Sequence, residues 1–88
     1  MPSDTWRVEL DPQGHVPLYQ QIANLLRRDI ESGTYLPGEL IPSIERIHQE
    51  TGVTIVTVRK GIAILANEGL VVIVPGKGTF VARREDGQ

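Results

Sequence analysis

Apolar residues recur at helical spacing along the first third of the chain. After Pro17, they fall at intervals that place them on one face of a helix: Leu18, Ile22, Leu25, Leu26 and Ile30. This spacing predicts an amphipathic helix that has Pro17 at its first position and ends at Gly33.

Two shorter helices are predicted in the middle of the chain. Ser43 is a favourable N-cap for a helix that buries Ile44 and Ile47 and stops at Gly52. Thr54 is a plausible N-cap for the next, whose buried side carries Val58, Ile62 and Leu65 and which ends at Gly69. Only a few residues around Gly52-Val53 join the two, as in a helix-turn-helix.

Strand patterns occur at both ends of the sequence. Thr5–Leu10 alternates apolar and polar residues, which predicts a half-buried strand. Near the C-terminus, Leu70–Val74 and Thr79–Ala82 flank the turn sequence Pro75-Gly76-Lys77-Gly78 and predict a β-hairpin. The segment 34–40 contains Pro37-Gly38 and is expected to be a loop with a strand fragment.

This order of elements predicts an α+β, mainly α-helical fold: a winged helix-turn-helix of three helices and a C-terminal β-hairpin wing. Residues 1–14 are expected to form an N-terminal strand or arm, residues 15–84 the domain, and residues 85–88 a disordered tail. Gly61 inside the last helix should cost about 1 kcal/mol relative to alanine. A close crossing against the preceding helix would explain it.

Length and composition narrow the class of protein. The 88 residues suffice for one domain, and the absence of cysteine excludes disulfides and thiolate metal sites. There is no apolar run long enough to span a bilayer and no signal-like apolar core at the N-terminus, so a cytoplasmic location is expected.

Charge is unevenly distributed. The net charge of −2 argues at first against a nucleic-acid partner. However, residues 1–39 hold three basic and six acidic side chains (net −3), whereas residues 40–84 hold six basic and three acidic ones (net +3). A moderately positive surface is therefore expected around the predicted helix-turn-helix and wing.

The sequence gives little support for an enzyme. His15 and His48 are the only histidines, and neither belongs to a set with metal-ligand spacing. Gly76-Lys77-Gly78-Thr79 lies between two predicted strands and not before a helix, which indicates a hairpin tip and not a phosphate loop. No cofactor and no catalytic residue are expected.

A DNA-binding role has a mechanism in the third helix. The buried positions leave five residues outward, with Thr57 at the margin: Ile55, Val56, Arg59, Lys60 and Ala63. Arg59 can contact guanine or a phosphate, and Ile55 and Val56 can pack on thymine methyl groups. An ordinary solvated helix face is the alternative.

The hairpin tip could also contact DNA. Lys77 can contact a phosphate strand or the minor groove, and a plain β-turn without a DNA contact is the alternative.

The sequence resembles the N-terminal domain of GntR-family bacterial transcription regulators, most closely the HutC and YtrA branches, over about residues 8–82. The segments that carry the resemblance follow in order: Pro17-Leu18-Tyr19-Gln20-Gln21-Ile22, Ile30-Glu31-Ser32-Gly33, Pro37-Gly38-Glu39, Pro42-Ser43, Gly52-Val53, Thr57-Val58-Arg59, Leu65, Glu68-Gly69-Leu70 and Gly76-Lys77-Gly78-Thr79-Phe80-Val81.

The resemblance implies a repressor or activator of transcription that binds double-stranded DNA as a homodimer at an inverted-repeat operator. It also implies a following domain that senses a small molecule, so an effector ligand is expected only if the chain continues. Pattern and resemblance together predict these DNA-binding residues: Ser43, Arg46, Thr54, Val56, Thr57, Arg59, Lys60, Gly76, Lys77 and Gly78.

The sequence departs from the family pattern at three places. Family members usually have arginine at the position of Glu45 and a Ser-Arg pair at Thr54-Ile55, so weaker or differently specified DNA binding is expected. Val71–Val74 is aliphatic where relatives often carry basic residues. These departures and the acidic pI keep one alternative open, a winged-helix protein–protein or dimerisation module with weak DNA binding. The resemblance leaves another, because one branch of the family joins this domain to an aminotransferase-like enzyme that uses pyridoxal phosphate.

Overall fold

The computed structural model describes residues 9–83. Residues 10–83 contain three helices, α1 (Leu18–Glu31), α2 (Ile44–Thr51) and α3 (Ile55–Asn67), followed by two strands, β1 (Val71–Val74) and β2 (Gly78–Val81). The predicted mainly helical winged helix-turn-helix is confirmed. The expected disordered tail, residues 85–88, lies outside the described residues.

The predicted N-terminal strand is wrong where it can be assessed. Most of Thr5–Leu10 lies outside the described residues, but Glu9 is helical and Leu10 is in neither helix nor strand. The Glu9 carboxylate accepts a hydrogen bond from Arg28 on α1, and Leu10 packs against the core. Contacts with α1, which the alternating pattern does not encode, therefore decide the local conformation.

Helix α1 begins one residue later than predicted. Pro17 is the N-cap and not the first helical residue, with extended backbone (φ −57°, ψ 149°). Its carbonyl accepts hydrogen bonds from the backbone N–H groups of Gln20 and Gln21. The Gln21 side chain also bonds the backbone of Asp11 and Val16, which fixes the preceding loop against the helix.

The core lies between the three helices and the inner face of the hairpin. Its largest fully buried side chains come from every helix: Ile22 and Leu26 of α1, Ile47 of α2, and Val58, Ile62 and Leu65 of α3. Val71 and Val81, which are paired across the strands, close the core from the sheet side. Burial of these aliphatic side chains is the main stabilising contribution, at roughly 1.5–3 kcal/mol for each large one.

Gly61 marks the closest approach of α3 to α1. A Cβ atom at this position would lie 2.8 Å from the Tyr19 carbonyl oxygen and 2.9 Å from Cγ2 of Ile22. Both neighbours belong to α1. The predicted close crossing is therefore present, but it is made with the first helix and not with the preceding one.

An ion pair joins the same two helices at their other end. The Arg27 guanidinium donates from Nε and Nη2 to the two carboxylate oxygens of Glu68, at 2.9 and 2.7 Å. The hydrogen bond with Glu68 raises the pKa of Arg27. Likewise, the Glu9 carboxylate is the main cause of the raised pKa of Arg28. Both α1 arginines are thus engaged with carboxylates, and a contact of either arginine with a phosphate would have to displace an ion pair.

The hairpin has a third backbone segment along its free β2 edge. β1 and β2 pair antiparallel with Val72 opposite Phe80, and Leu40 forms an isolated bridge to Phe80. Ile41 N–H donates to the Thr79 carbonyl at 2.9 Å, and Val81 N–H donates to the Glu39 carbonyl at 2.8 Å. The expected strand fragment before α2 is therefore present and anchors α2 to the wing.

We expect Gly61→Ala to destabilise the protein by about 1–3 kcal/mol, because the added methyl group would overlap backbone and side-chain atoms of α1. Helix propensity alone would favour alanine by about 1 kcal/mol. The free energy of unfolding from urea denaturation measures the net effect. Ala63→Gly, at an exposed position of the same helix, should show only the propensity loss of about 1 kcal/mol. A stabilised Gly61→Ala protein would contradict the close crossing.

Tyr35 gives a pH-dependent prediction. Burial, and then the nearby Asp29 carboxylate, raise the pKa of Tyr35 from 10.0 to about 12. Its hydroxyl has no hydrogen-bond partner among residues 9–83. Because the folded-state pKa is higher, the neutral ring contributes stability that is complete below pH 10 and is lost as the pH rises towards 12. Tyr35→Phe should lose less unfolding free energy than the wild type across this interval, and equal losses would contradict the assignment.

Candidate DNA-binding surface

The turn between α2 and α3 is built by side-chain caps. Ser43 accepts a hydrogen bond from the Arg46 backbone N–H at 3.1 Å and so caps α2, as predicted. Gly52 ends that helix with a left-handed backbone (φ +78°), a conformation that glycine adopts without strain. Thr54 then caps α3 by accepting from the Thr57 backbone N–H at 3.4 Å. The two helices are therefore only three residues apart.

His48 has a structural role in this turn that the sequence did not predict. Its ring Nδ1 lies 2.7 Å from the Val53 carbonyl oxygen, which can only accept, so Nδ1 is the donor. Thr51 extends the network, since its hydroxyl donates to the Ile47 carbonyl and accepts from the Val53 N–H. The spacing of five residues between His48 and Val53 carries no recognisable signal, because the contact depends on the turn geometry.

Helix α3 presents most of the predicted outward residues on its exposed side. Val56, Arg59, Lys60 and Ala63 are exposed, while Val58, Ile62 and Leu65 are buried on the opposite side. Thr57 is half-buried, in agreement with its predicted marginal position. Ile55 differs from the prediction because it is also half-buried. Helical periodicity alone does not account for this, since Ile55 is the first residue of the helix and lies beside the turn.

Thr54 and Thr57 form a local pair on this surface. The Thr54 hydroxyl donates to the Thr57 hydroxyl oxygen at 2.9 Å while it accepts from the Thr57 backbone N–H. The Thr54 hydroxyl therefore uses both its hydrogen and its oxygen in hydrogen bonds within the helix cap. The Thr57 hydroxyl hydrogen remains available to donate outward.

The cations of the surface have different local partners. Arg46 Nε donates to the Glu50 carboxylate at 3.1 Å, one turn further along α2. Lys60 Nζ lies 4.7 Å from the centre of the Tyr19 ring, which is cation–π distance. Arg59 and Lys77 form no ion pair within residues 9–83. These two are thus the predicted basic residues with the least internal competition.

The wing tip is a tight turn that exposes Lys77. Lys77 N–H donates to the Val74 carbonyl at 3.0 Å, and Gly76 has a φ of +79°. Pro75 followed by a glycine of positive φ is the pattern of a type II turn. Gly78 packs so closely that an added Cβ would lie 2.8 Å from Leu40 Cδ2. The glycines on either side of Lys77 therefore shape the turn, and the lysine supplies its charge.

Glu45 is exposed in the first turn of α2. A carboxylate is favourable at this end of a helix because of the helix dipole, by roughly 0.3–1 kcal/mol. Arg46, the next residue, is committed to Glu50. The first turn of α2 thus presents a negative charge and one internally paired cation, so it does not form a strong anion-binding surface.

The outer sheet face, formed by Leu40, Val72, Val74 and Phe80, is apolar. Leu40 and Val72 are 53% and 51% exposed. An open cavity of about 400 Å³ lies against this face, bordered by Gly38 and Arg83 among others. Two of the four aliphatic residues of β1, Val72 and Val74, therefore lie on the sheet face opposite the core.

The part of the chain that the structure describes shows neither a metal-binding cluster nor a membrane-spanning helix. Residues 9–83 contain no group of three histidine, aspartate or glutamate side chains placed to hold a metal ion. None of the described helices combines the length and apolarity needed to cross a bilayer.

Comparison with known proteins relates this chain to bacterial transcription regulators. The family model described as bacterial regulatory proteins of the gntR family matches residues 18–81. The mannosyl-D-glycerate transport/metabolism system repressor MngR of Escherichia coli K12 is 38% identical over 68 residues, which are 77% of this chain and 28% of MngR. The chain thus spans less than a third of that relative.

Solved structures give the same result. The YtrA transcription factor of Sulfolobus acidocaldarius, a GntR-family protein, is 32% identical with a TM-score of 0.78, over 85% of this chain and 79% of YtrA. The DNA-binding domain of AraR, in a complex with the operator ORX1, is 37% identical with a TM-score of 0.76, over 80% of this chain and 90% of that domain. On the sequence, the fold and these matches, the chain belongs to the GntR family of bacterial regulatory proteins.

Proposed function

We propose that this chain binds double-stranded DNA sequence-specifically and regulates transcription, most simply as a repressor. In this proposal α3 enters the major groove, and the turn at Pro75–Lys77 contacts the backbone or the minor groove. The observation that carries the proposal is the position of Arg59. It is exposed in the second turn of a helix whose opposite face is buried, and it has no ion-pair partner within residues 9–83.

Each residue of the surface has a role that its local bonding allows. The Arg59 fork is suited to O6 and N7 of guanine, and the Thr57 hydroxyl can donate to a base or a phosphate. Ser43 caps α2 with its oxygen, which leaves its hydroxyl hydrogen for a phosphate. Lys77 is suited to a phosphate because it is exposed at the turn. Thr54 contributes mainly by fixing the start of α3.

Arg46 and Lys60 are weaker contributors in this proposal. Arg46 must leave Glu50 to reach a phosphate, and Lys60 must leave the Tyr19 ring. Surface ion pairs and exposed cation–π contacts are each worth up to about 1 kcal/mol, so neither contact prevents rearrangement. The net gain from either residue is reduced by the contact that it gives up.

Assembly and regulation follow from family membership as further proposals. AraR is solved with operator DNA, and MngR is a repressor. We propose that two copies of this chain bind an inverted repeat, that the chain acts without catalysis, and that it does so in the cytoplasm, where bacterial chromosomal DNA lies. Regulation by an effector would require a further domain. In MngR, the part outside the matched 28% is long enough to contain one.

The outer sheet face supports a second candidate function, a protein–protein or dimerisation module. This face exposes the apolar side chains of Leu40 and Val72 beside an open cavity. Adjacent exposed apolar residues of this kind are typical of surfaces that bind another protein. This face lies on the hairpin and not on α3. Both functions can therefore coexist, and variants of the two surfaces separate them.

We expect Arg59→Ala to weaken binding to a selected operator by about 1–3 kcal/mol and to relax the base preference at one position. Lys77→Ala should weaken binding to all sequences about equally and flatten the salt dependence by about one unit of log Kd per log salt for each bound chain. Fluorescence anisotropy titrations with selected and scrambled duplexes at several salt concentrations measure both effects.

Val16→Ala, at an exposed valine in the loop before α1, is the matched control and should leave both quantities unchanged. Unaltered operator affinity in both Arg59→Ala and Lys77→Ala would contradict the DNA-binding proposal. A loss of dimerisation in Val72→Ala with intact DNA binding by single chains would instead support the second candidate function.

Glu45→Arg tests the consequence of the unusual acidic residue. Replacing the exposed carboxylate with a cation should raise affinity for all DNA sequences and steepen the salt dependence by about one unit per chain, as one added phosphate contact does. Glu45→Gln removes the negative charge without adding a guanidinium group. It should therefore raise DNA affinity by less and change the salt dependence little. Unchanged affinity in Glu45→Arg would show that the start of α2 does not face DNA.

A further inference from the structure

Val56 is the most exposed large apolar side chain among residues 9–83, with 65% of its surface accessible. It lies in the first turn of α3, two residues after the Thr54 cap. Arg59 follows three residues later on the same exposed face. An isopropyl group thus projects from the part of the helix that the proposed function assigns to base reading.

We propose that Val56 reads the C5 methyl group of a pyrimidine in the major groove, next to a guanine contacted by Arg59. This inference rests on the proposed function and adds a specificity-determining residue to it. In DNA the natural base that carries this methyl group is thymine, and 5-methylcytosine presents a methyl group at the same position. Cytosine without the methyl group is the base that Val56 should disfavour.

The chemistry of the groove supports this assignment. Valine cannot form a hydrogen bond, and the thymine methyl group is the apolar feature of the major-groove edge. Opposite any other base edge, the isopropyl group would displace water from donors and acceptors without replacing its hydrogen bonds. Val56 is therefore expected both to favour a methylated pyrimidine and to oppose the alternatives.

The local structure points to Val56 as the methyl-reading residue and not its neighbours. Ile55 is half-buried, and the hydroxyl oxygen of Thr57 is held by Thr54. Three residues of helix rise by about 4.5 Å, and consecutive base pairs are separated by about 3.4 Å. Val56 and Arg59 can therefore reach neighbouring base pairs, which predicts a thymine within about two base pairs of the guanine.

The test uses matched duplexes of the sequence that the 88-residue chain enriches from random DNA, and four of them differ at the position that responds. Each thymine in a half-site is replaced in turn by deoxyuridine, which removes only the methyl group. At the position that responds, cytosine and 5-methylcytosine opposite guanine give a second pair that differs by the same methyl group. Affinities are measured for the wild type, Val56→Ala and the control Val16→Ala, which changes an exposed valine outside α3 and outside the outer sheet face.

The wild type and Val16→Ala should bind the methylated member of each pair about fourfold more tightly per half-site, the effect of burying one methyl-sized group. Val56→Ala should bind both members of each pair equally. Its urea denaturation curve should match that of the wild type, because the side chain is exposed.

Three results would overturn the inference. One is a wild type with no methyl effect at any thymine. Another is a Val56→Ala protein that keeps the full effect. If either occurs while Arg59→Ala still abolishes the base preference, the methyl assignment fails and the proposed function stands. The third is failure of the wild type to enrich any sequence, which removes the proposed function and the inference together.

Discussion

The crossing of α1 and α3 at Gly61 is the contact on which the arrangement of the surface depends. The absence of a side chain lets the α3 backbone approach Tyr19 and Ile22 of α1 within ordinary contact distance. With the two helices in contact, Val58, Ile62 and Leu65 fill the core. The opposite side of α3, with Val56 and Arg59, is then directed outward. The capped turn at Gly52 then fixes the orientation of α2 relative to α3.

Electrostatics act on the same framework. The acidic N-terminal half does not leave its α1 arginines free, since Arg27 is engaged with Glu68 and Arg28 with Glu9. The two α1 arginines are thus neutralised by carboxylates within the domain. Arg59 and Lys77, in contrast, form no ion pair among the described residues. A chain with a net charge of −2 can in this way offer a local cationic surface. Glu45 reduces that surface, because its exposed carboxylate lies in the first turn of α2.

Much of the fold could be predicted from local sequence because its signals are local. Helical spacing located the three helices, and Ser43, Thr54 and Gly52 marked their ends within a residue or two. The proline–glycine pair likewise gave the hairpin turn. The outward position of Val56 and Arg59 followed from the buried positions three to four residues apart.

What could not be predicted depends on contacts between distant parts of the chain. The crossing partner of Gly61 is α1, which is about forty residues away in sequence, and no periodicity identifies it. The ring of Tyr19 under Lys60 and the ion pair between Arg27 and Glu68 are of the same kind. Glu9 shows the opposite error, since an alternating pattern predicted a strand where the residue is helical and paired with Arg28 of α1. The family resemblance supplied the DNA-binding role, but the roles of individual residues stay predictions.

The most direct test of the account is to map the DNA contact on the protein in solution. The ¹⁵N-labelled chain would be titrated with a duplex that it enriches from random DNA, and amide chemical shifts would be recorded for each residue. The largest changes are predicted in the first two turns of α3, from Thr54 to Lys60, and at the wing turn around Lys77, with small changes at Val72 and Phe80. Largest changes on the outer sheet face, with α3 unaffected, would contradict the account.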